Sequence, residues 1–435
     1  MLQNKSTIRA FRYIFFLYIS MIICFSFLYI MPFSQTGQLS YIDSLFVSTS
    51  GLSVTGLSTI DITKELTRVG QTLLIIEMQL GGIGILVIIS YLFLVMGKKI
   101  TMSNMLLISK DQNQSNLKTI KSLSFSVLII TLMIETICFL FIYSDINTQY
   151  SNAAEAIFVS VFHSVASFTN AGFSLIDLEI FEKNNLFLFA TTAAIFLGSI
   201  GFPTIMEYIF SFKKKKSLFA KINIRMHLVL LIIGSGLYIL LEYNKAFSHL
   251  DFADKITNSI FLSASTRSGG LATFDISSLT ITTLLILMCL MFIGGASSST
   301  GGGIRLTTFR VIIAKVVAVV RTHEQVVIEK RAITEEAVNK SFFIFFSFVS
   351  LTVVSTTVLT LFESENVVHI AFEVLSALTN TGLSMGMTNE LTNISKIILM
   401  FLMVVGRIGI FTLIYFVFRA ESSKIKYLEE DIAVG

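Results

Sequence analysis

The chain has 435 residues, of which 54% are hydrophobic and 14% are charged, and its formal net charge is +4. Soluble domains carry about 25% charged residues, so this composition excludes an ordinary soluble protein. We predict an all-α polytopic membrane protein, because apolar runs recur along the whole length.

Apolar segments that approach the length needed to cross a bilayer, about 20 residues in a helix, follow one another along the chain. They lie at 10–31, 69–96, 122–143, 186–212, 226–243, 280–293 with 304–320, 341–362 and 397–418. We expect eight spans, with the sixth broken into two pieces. Shorter apolar stretches separate the two spans of each successive pair, and their length is typical of re-entrant segments.

The loops on the two sides of the predicted spans differ in charge. Lys and Arg outnumber Asp and Glu in one set, which comprises 1–12, 97–121, 211–226, 305–340 and 419–435, whereas the alternate loops are acidic. By the positive-inside rule the basic set is cytoplasmic. We therefore expect both termini in the cytoplasm and four re-entrant segments that enter from outside.

Two glycine-containing signatures recur four times. The first follows each short apolar stretch and reads SVTGLSTID, TNAGFSLID, RSGGLATFD and TNTGLSMGM. The second comes 24 to 26 residues after the shared glycine and reads GGIG, GSIG, GGAS and GRIG. This periodicity predicts four repeats of helix, re-entrant pore loop and helix around one central pore, with pseudo-fourfold symmetry. We place the repeats at 1–97, 98–216, 217–330 and 331–420, followed by a cytoplasmic tail at 421–435.

The first signature favours a cation site. A short helix that enters from outside points the negative end of its dipole, about half an elementary charge, at the membrane centre. The segment after it must turn carbonyl oxygens into the pore, and glycine adopts the required positive φ without steric cost. No acidic side chain lies in the four residues around each glycine, so we expect backbone carbonyls to coordinate a monovalent cation, most simply K+.

The predicted ion-binding residues form four segments of four, each around one glycine that is expected to hold K+. They are Val54, Thr55, Gly56 and Leu57; Asn170, Ala171, Gly172 and Phe173; Ser268, Gly269, Gly270 and Leu271; and Asn380, Thr381, Gly382 and Leu383. Close helix packing is the alternative explanation for the glycines. It accounts equally well for the second signature, but not for the first, whose glycines follow segments too short to span.

These four filters, the Gly/Ser-rich break in the third repeat and Arg407 in the last helix resemble the Trk/Ktr/HKT superfamily of potassium transporters over essentially the whole chain. Trk-type subunits usually carry extra helices before the first repeat. The first span of this chain starts near residue 10, so the chain is most similar to the membrane subunits of bacterial Ktr systems. The resemblance implies K+ selectivity, because family members with Ser in place of Gly56 tend towards Na+. The third filter departs from the others in carrying Arg267, which we expect to anchor the loop through hydrogen bonds or a nearby carboxylate.

Arg407 is predicted to belong to a gate. A charge at mid-membrane costs at least about 2.5–3.5 kcal/mol, so this side chain needs a cavity or a partner. An ion pair with a membrane-embedded carboxylate, Glu77, Glu135 or Glu207, is the structural alternative. The repeat alignment instead puts Arg407 near the pore axis below the filter, and the family resemblance implies a part in the gate.

The stretch GGASSSTGGG at the same depth is the second predicted gate element. Irregular backbone is tolerated at membrane depth only where protein covers it or where it lines a water-filled cavity. We expect the first repeat to run straight through GGIGILVII and the third to open into a gating loop. The predicted gate residues are Gly294, Gly295, Ala296, Ser297, Ser298, Ser299, Thr300, Gly301, Gly302, Gly303 and Arg407.

Two other function classes fit the sequence less well. An intramembrane serine hydrolase would use a serine of GASSSTGG with His163 or His369 as base. Both histidines lie in the outer re-entrant helices, far above the serines, which disfavours this reading. A receptor or scaffold leaves the fourfold filter unexplained, so we predict a transporter rather than an enzyme.

The resemblance also implies partners and a location in the bacterial plasma membrane. Ktr-type subunits form homodimers on a cytoplasmic ring of nucleotide-binding RCK-type regulatory subunits. ATP or ADP on that ring, and not on this chain, would then control the gate. The lysine run at 213–216 is expected to contact membrane lipids, and the tail at 421–435 could serve the dimer or the ring. No nucleic-acid partner is predicted, and Na+ dependence stays open.

Overall fold

The computed structural model describes residues 5–84, 120–210 and 215–410, which are mostly helical. A first group of helices comprises α1 Lys5–Ile30, α2 Tyr41–Ser53, α3 Ile62–Glu65 and α4 Arg68–Ile83, and a second comprises α5 Ile120–Ile146, α6 Ala153–Thr169, α7 Asn185–Ile200 and α8 Phe202–Phe210. A third group comprises α9 Leu218–Glu242, α10 Phe252–Thr266, α11 Ile281–Phe292 and α12 Leu306–Val320, and a fourth comprises α13 Glu335–Leu359, α14 Val367–Thr379 and α15 Asn393–Ile408. Between the last two groups, strands Val327–Ile328 and Arg331–Ala332 form an antiparallel hairpin.

Each group has the same order: a long helix, a short helix and a second apolar helix. The second apolar helices α4, α7, α11 and α15 start in the same way, because the side chain of the preceding residue accepts the N–H three positions on. The four capping residues are Thr67, Asn184, Thr280 and Thr392. Such N-caps satisfy amides that have no partner inside the helix and so fix where it begins.

Among the described residues, four helices are long and apolar enough to cross a membrane. They are Arg12–Ile30, Ser126–Ile146, Leu218–Glu242 and Glu335–Leu359, and they coincide with four of the predicted spans. Large apolar side chains lie on their outer faces and on those of neighbouring helices, such as Leu240, which is 78% exposed. A soluble monomer rarely exposes so much apolar surface, whereas lipid tails can cover it.

The predictions that the first repeat runs straight through GGIGILVII and that 186–212 is one continuous span are wrong. α7 and α8, which were expected as one span at 186–212, meet at an angle of 100°. Gly201 between them has φ 94°, and the equivalent Gly84 and Gly409 have φ 96° and 89°. A right-handed helix cannot continue through a positive φ, so α4, α7 and α15 all end one residue before the last glycine of the second signature. The expected continuations at 85–96 and 411–418 lie outside the described residues.

The short helices α2, α6, α10 and α14 form the core. One phenylalanine of each, in a matching position, has no exposed surface at all: Phe46, Phe162, Phe261 and Phe372. The longer helices surround them, and α1, α4 and α15 all pack on α2. The segments that follow the four short helices are thereby brought to the centre of the molecule.

Candidate functional site

The four glycines of the first signature, which are far apart in the sequence, lie in a closed ring. A Cβ added to Gly56 would lie 2.8 Å from the Cα of Gly172, and one on Gly172 would lie 3.1 Å from that of Gly270. The ring continues from Gly270 to Gly382, at 3.2 Å, and closes from Gly382 to Gly56, at 3.1 Å. All four have the expected positive φ, between 68° and 96°. No side chain therefore fits at these positions, for want of both space and backbone conformation.

A left-handed residue leads from the short helix into three of the four segments. Val54, Asn170 and Asn380 have φ values of 57°, 60° and 51°. The amide of the next residue then turns back to a helix carbonyl: Thr55 to Ser50, Ala171 to Ala166 and Thr381 to Ser376, at 2.8 to 2.9 Å. This turn occupies the amides at the end of the helix and leaves the carbonyls of the segment to face elsewhere.

Three of those carbonyls lie at the ring. The oxygen of Ala171 is 2.5 Å from the Cβ position of Gly56, and the oxygen of Thr55 is 3.2 Å from that of Gly172. The Thr381 oxygen likewise abuts Gly270. Within the described part of the chain, no hydrogen bond is donated to these three oxygens. Unengaged carbonyl oxygens that converge on one axis can replace the hydration shell of a cation.

The apolar side chains of the predicted site point away from the ring. Val54, Leu57, Phe173, Leu271 and Leu383 are almost fully buried and belong to the hydrophobic core. The segments therefore present backbone rather than side chains. A cavity of about 410 Å³ lies over the ring and is lined by Gly56, Leu57, Gly270, Gly382, Leu383 and Asp275, among others.

Serine hydroxyls of the short helices fix three of the segments by accepting hydrogen bonds from their backbone amides. The Oγ of Ser50 accepts the amide of Gly56 at 3.0 Å, and Ser376 accepts that of Gly382 at 3.0 Å. In the third segment Ser265 lies five residues before the glycine instead of six, so its Oγ accepts the amide of Leu271, at 2.8 Å. Sequence reasoning missed these serines, although the shared six-residue offset of Ser50 and Ser376 from their glycines could have indicated two of them.

Two carboxylates brace the loops that follow the ring, and sequence reasoning missed both. Asp43 accepts hydrogen bonds from Thr59, at 2.8 Å, and from Lys396, at 2.7 Å, which ties α2 to α15. Glu373 in α14 accepts from the amide of Met385, at 3.2 Å, and from Ser384 and Thr388. Asp43 and Lys396 are 353 positions apart, so no local pattern could have paired them.

The third segment is held differently. Ser268 has φ 139°, and Gly269 packs against Ser265 and Ile195. Arg267 is 2% exposed and donates to Nδ1 of His227 at 2.7 Å. Hydrogen bonds thus anchor Arg267, as expected, but its partner is an imidazole rather than a carboxylate.

The loop at 294–303 packs against the segments that carry the ring and is covered by protein. A parallel bridge between Ile293 and Ile304 closes its base, and the amide of Gly295 donates to Gly302 at 3.0 Å. Ser298 is half-buried, and the other nine residues are buried. Protein thus covers this irregular backbone, which is one of the two conditions for such backbone at membrane depth.

The loop touches three of the four filter segments. Thr300 Oγ1 accepts from the side-chain amide of Asn170 at 2.5 Å, and the amide of Gly302 donates to Ser268 Oγ at 3.0 Å. Gly302 also packs on Asn380, whose Oδ1 is 2.9 Å from its Cβ position. The loop can therefore not move without exchanging contacts made by the filter segments.

Arg407 joins the loop to the end of α4. Its guanidinium donates to the carbonyls of Thr300 and Gly81, and to that of Gly82 at 3.3 Å. The carboxylates proposed as alternative partners are engaged elsewhere: Glu77 with Tyr29 and Ser48, Glu135 with Gln79, and Glu207 with Ser217. None of the salt bridges in the described ranges joins Arg407 to them.

The second signature serves both packing and helix termination. A Cβ on Gly81, Gly198 or Gly406 would collide with the carbonyl oxygen of the residue four positions before a filter glycine: Leu52, Phe168 and Leu378 respectively. In the third group Gly294 abuts Gly302 of the loop instead. Close packing thus accounts for the first glycine of the signature. The last glycine, where the signature has one, is needed because its positive φ ends the helix.

The two histidines of the hydrolase alternative are not near the loop serines. His163 Nε2 lies 3.1 Å from Thr191 Oγ1, and its ring lies against Phe187. His369 faces Glu365 at 3.5 Å. Among the hydrogen bonds of the described residues, neither histidine is bonded to Ser297, Ser298 or Ser299, so the pairing that the hydrolase alternative requires is not observed there.

The cytoplasmic elements of the predictions fall largely outside the described residues. The tail at 421–435 lies beyond them, as do Lys213 and Lys214 of the lysine run. Lys216 is described, and its Nζ donates to the carbonyl of Glu207 at 2.8 Å.

Known proteins resemble this chain over nearly its whole length. The family of cation transport proteins named TrkH matches residues 3–427. The Ktr system potassium uptake protein D of Bacillus subtilis (strain 168) is 34% identical over 404 residues, which cover 91% of this chain and 90% of that protein. The Ktr system potassium uptake protein B of the same organism is 32% identical over 413 residues, which cover 94% of this chain and 93% of that protein.

Two further likenesses extend the comparison. The potassium/sodium uptake protein NtpJ of Enterococcus hirae is 31% identical over 416 residues, which cover 93% of this chain and 92% of that protein. The crystal structure of the potassium transporter TrkH from Vibrio parahaemolyticus superposes with a TM-score of 0.74 at 18% identity, and covers 94% of this chain and 84% of that one. At that identity the structure shows a shared fold.

Proposed function

The chain belongs to the TrkH family of cation transport proteins, and from that premise we propose that it is the pore-forming membrane subunit of a Ktr-type potassium uptake system. The family is one of transporters, so the protein is not an enzyme. K+ is the substrate we propose, because the two Bacillus subtilis relatives are potassium uptake proteins.

The ring of four glycines carries the proposal. The carbonyl oxygens of Thr55, Ala171 and Thr381 lie at the ring, where only glycine fits. None of the described residues donates a hydrogen bond to these oxygens. An ion that sheds its water there gains backbone oxygens in exchange. The proposed K+ site comprises Gly56, Gly172, Gly270 and Gly382 with their neighbours at 54–57, 170–173, 268–271 and 380–383.

The arrangement of this ring in the membrane is part of the proposal. We place the four short helices as re-entrant segments that enter from outside, with pseudo-fourfold symmetry about the pore. Their C-terminal ends then direct partial negative charge at the ion. The basic loops put both termini in the cytoplasm of a bacterial cell.

The proposed gate is the loop at 294–303 together with Arg407. The loop fills the space beneath the ring, and the guanidinium adds a positive charge that opposes a passing cation. At an effective dielectric near 20, unit charges about 4 Å apart interact by about 4 kcal/mol, so a guanidinium close to the path raises the barrier to a passing cation. Opening requires the loop to leave the axis and Arg407 to turn aside.

Regulation by partners is proposed from the relatives. Two of them are named as parts of a Ktr system, and we propose that this chain likewise forms a homodimer on a cytoplasmic ring of RCK-type subunits that bind ATP or ADP. Removal of residues 425–435 is expected to weaken the dimer or its hold on the ring. Unchanged assembly on a sizing column would count against a role for this tail.

Growth and flux test the proposed function. Expression should restore growth at low K+ to a bacterial strain that lacks its own uptake systems, and purified protein should carry K+ into liposomes. Gly270→Ser should reduce the preference for K+ over Na+, because its side chain collides with the Thr381 carbonyl. If the protein is present in the membrane but neither restores growth nor carries K+, the proposal is wrong.

A second flux series addresses Na+. The relative NtpJ is named for both potassium and sodium, whereas the family resemblance implies that Gly56 of this chain favours K+. K+ flux should therefore be measured with and without Na+ on each side of the membrane. Faster K+ flux with external Na+ would establish Na+ dependence, and equal flux would exclude it.

A further inference from the structure

A buried histidine links the third filter segment to the loop beneath it. His227 lies in α9 with no exposed surface, between Arg267 and the end of α7. Its Nδ1 is 2.7 Å from an Nη of Arg267, and its Nε2 is 2.9 Å from the carbonyl oxygen of Ser199. The ring also packs edge-on against Phe196, at 5.5 Å between centroids.

The two contacts fix the state of this imidazole. A guanidinium can only donate, so Nδ1 of His227 accepts, and a carbonyl can only accept, so Nε2 carries the proton. His227 is therefore neutral and in one tautomer. A second cation at this place would face Arg267 directly, whereas the neutral ring gives the buried guanidinium an acceptor that it needs.

The carbonyl of Ser199 has a second donor, which comes from the loop. α7 ends at Ile200, so the carbonyls of its last turn have no partner inside the helix. The amide of Ala296 donates to Ser199 at 2.9 Å, and the amide of Thr300 donates to Gly198 at 3.2 Å. His227 and the loop thus share one oxygen at the broken end of α7.

We propose that His227 is a positioning residue that couples the third filter segment to the gate loop, through Arg267 on one side and Ser199 on the other. This inference rests on the proposed function, since it assigns the contact with Arg267 to ion selection and the contact with Ser199 to gating. When the loop leaves Ser199, the imidazole keeps that carbonyl satisfied and in place. Conversely, a shift of His227 moves both Arg267 and the Ser199 carbonyl, to which the amide of Ala296 donates.

Two substitutions separate the two contacts. His227→Asn puts an amide oxygen near the position of Nδ1, so it retains an acceptor for Arg267 and loses the donor to Ser199. His227→Gln puts an amide N–H near the position of Nε2, so it retains the donor and loses the acceptor. Each variant cuts one side of the link and leaves the other.

The experiment measures K+ and Na+ flux in liposomes for the wild type and both variants, each checked for a monodisperse sizing profile. We expect His227→Gln to lower the K+/Na+ flux ratio about tenfold, the change that corresponds to about 1.4 kcal/mol, with little effect on basal flux. His227→Asn should raise basal flux about threefold and keep the wild-type ratio. His163→Gln is the matched control, because this imidazole is equally buried but is bonded to Thr191, outside the filter.

The outcomes distinguish the two proposals. Absence of K+ flux from the wild type would overturn the proposed function and this inference with it. Flux in the wild type, with equal effects of the two His227 variants or with effects no larger than those of His163→Gln, would overturn the inference alone. If His227→Gln does not fold, Arg267→Met tests the same contact from the other side, and a wild-type flux ratio in that variant would refute the coupling.

Discussion

The second helices of the four groups end at equivalent places in two different ways. In α4, α7 and α15 a single glycine with positive φ ends the helix: Gly84, Gly201 and Gly409. After α11 a buried loop of ten residues, 294–303, takes the place of that glycine. The glycine leaves carbonyls at the end of the helix without partners in the helix. The ten-residue loop supplies amides and hydroxyls that can donate hydrogen bonds to such carbonyls.

The two kinds of break depend on each other. Ala296 and Thr300 of the loop donate to the freed carbonyls of α7, and Arg407 donates to those of α4. Helix ends that would be poorly satisfied in an apolar surrounding become the surface on which the loop is held. The gate that we propose is therefore built from the loop and the broken helix ends together.

The ring above these breaks should tolerate change least. Gly382 and Gly386 both have φ 91°, so alanine at either strains the backbone by about 1–2 kcal/mol. At Gly382 the new methyl collides with the Thr55 carbonyl, whereas at Gly386 nothing lies within 4 Å. We expect Gly382→Ala to abolish K+ uptake and Gly386→Ala to keep it, as measured by growth at low K+ and by liposome flux. Equal loss in both variants would show that strain, and not the closed ring, sets the requirement.

Removal of Arg407 should have the next largest effect. Its guanidinium bonds carbonyls of the loop and of α4, and hydrogen bonds to charged groups contribute about 1.5–3 kcal/mol each. Basal K+ flux through Arg407→Ala is therefore expected to rise by at least about tenfold. Arg225→Ala is the control, because this arginine is mostly exposed and pairs with Glu329. A basal flux equal to that of the control would remove Arg407 from the gate.

The glycines of the short breaks allow a matched comparison. Gly201 and Gly409 have φ 94° and 89°, but only Gly201 abuts the loop, where a Cβ would lie 2.8 Å from the Ser297 carbonyl. Both alanine variants should lose about 1–2 kcal/mol of stability through strain. Basal flux should change several-fold in Gly201→Ala alone. Similar flux in the two variants would mean that the short break after α7 does not support the loop.

The sequence predicts some of these features because they are repeated. The filter glycines recur after each short apolar stretch at near-constant spacing, and the structure brings them into one ring. The helix breaks were missed because hydrophobicity continues through Gly84 and Gly201, and composition alone does not distinguish a packing glycine from one that ends a helix. His227 has no counterpart in the other repeats, and a lone histidine in an apolar helix carries no signal of its partners.

The contact between the loop and the second filter segment should give the smallest effect. Thr300 Oγ1 accepts from Asn170 and lies 3.2 Å from the Phe168 carbonyl, so Thr300→Val removes both hydrogen bonds while it keeps the volume. A hydrogen bond of this kind contributes about 1 kcal/mol, which corresponds to a change of roughly fivefold in basal flux. Thr300→Ser retains the hydroxyl and should behave like the wild type. If valine and serine have the same effect, the hydroxyl does not hold the loop to the filter, and the backbone contacts of the loop with α7 suffice.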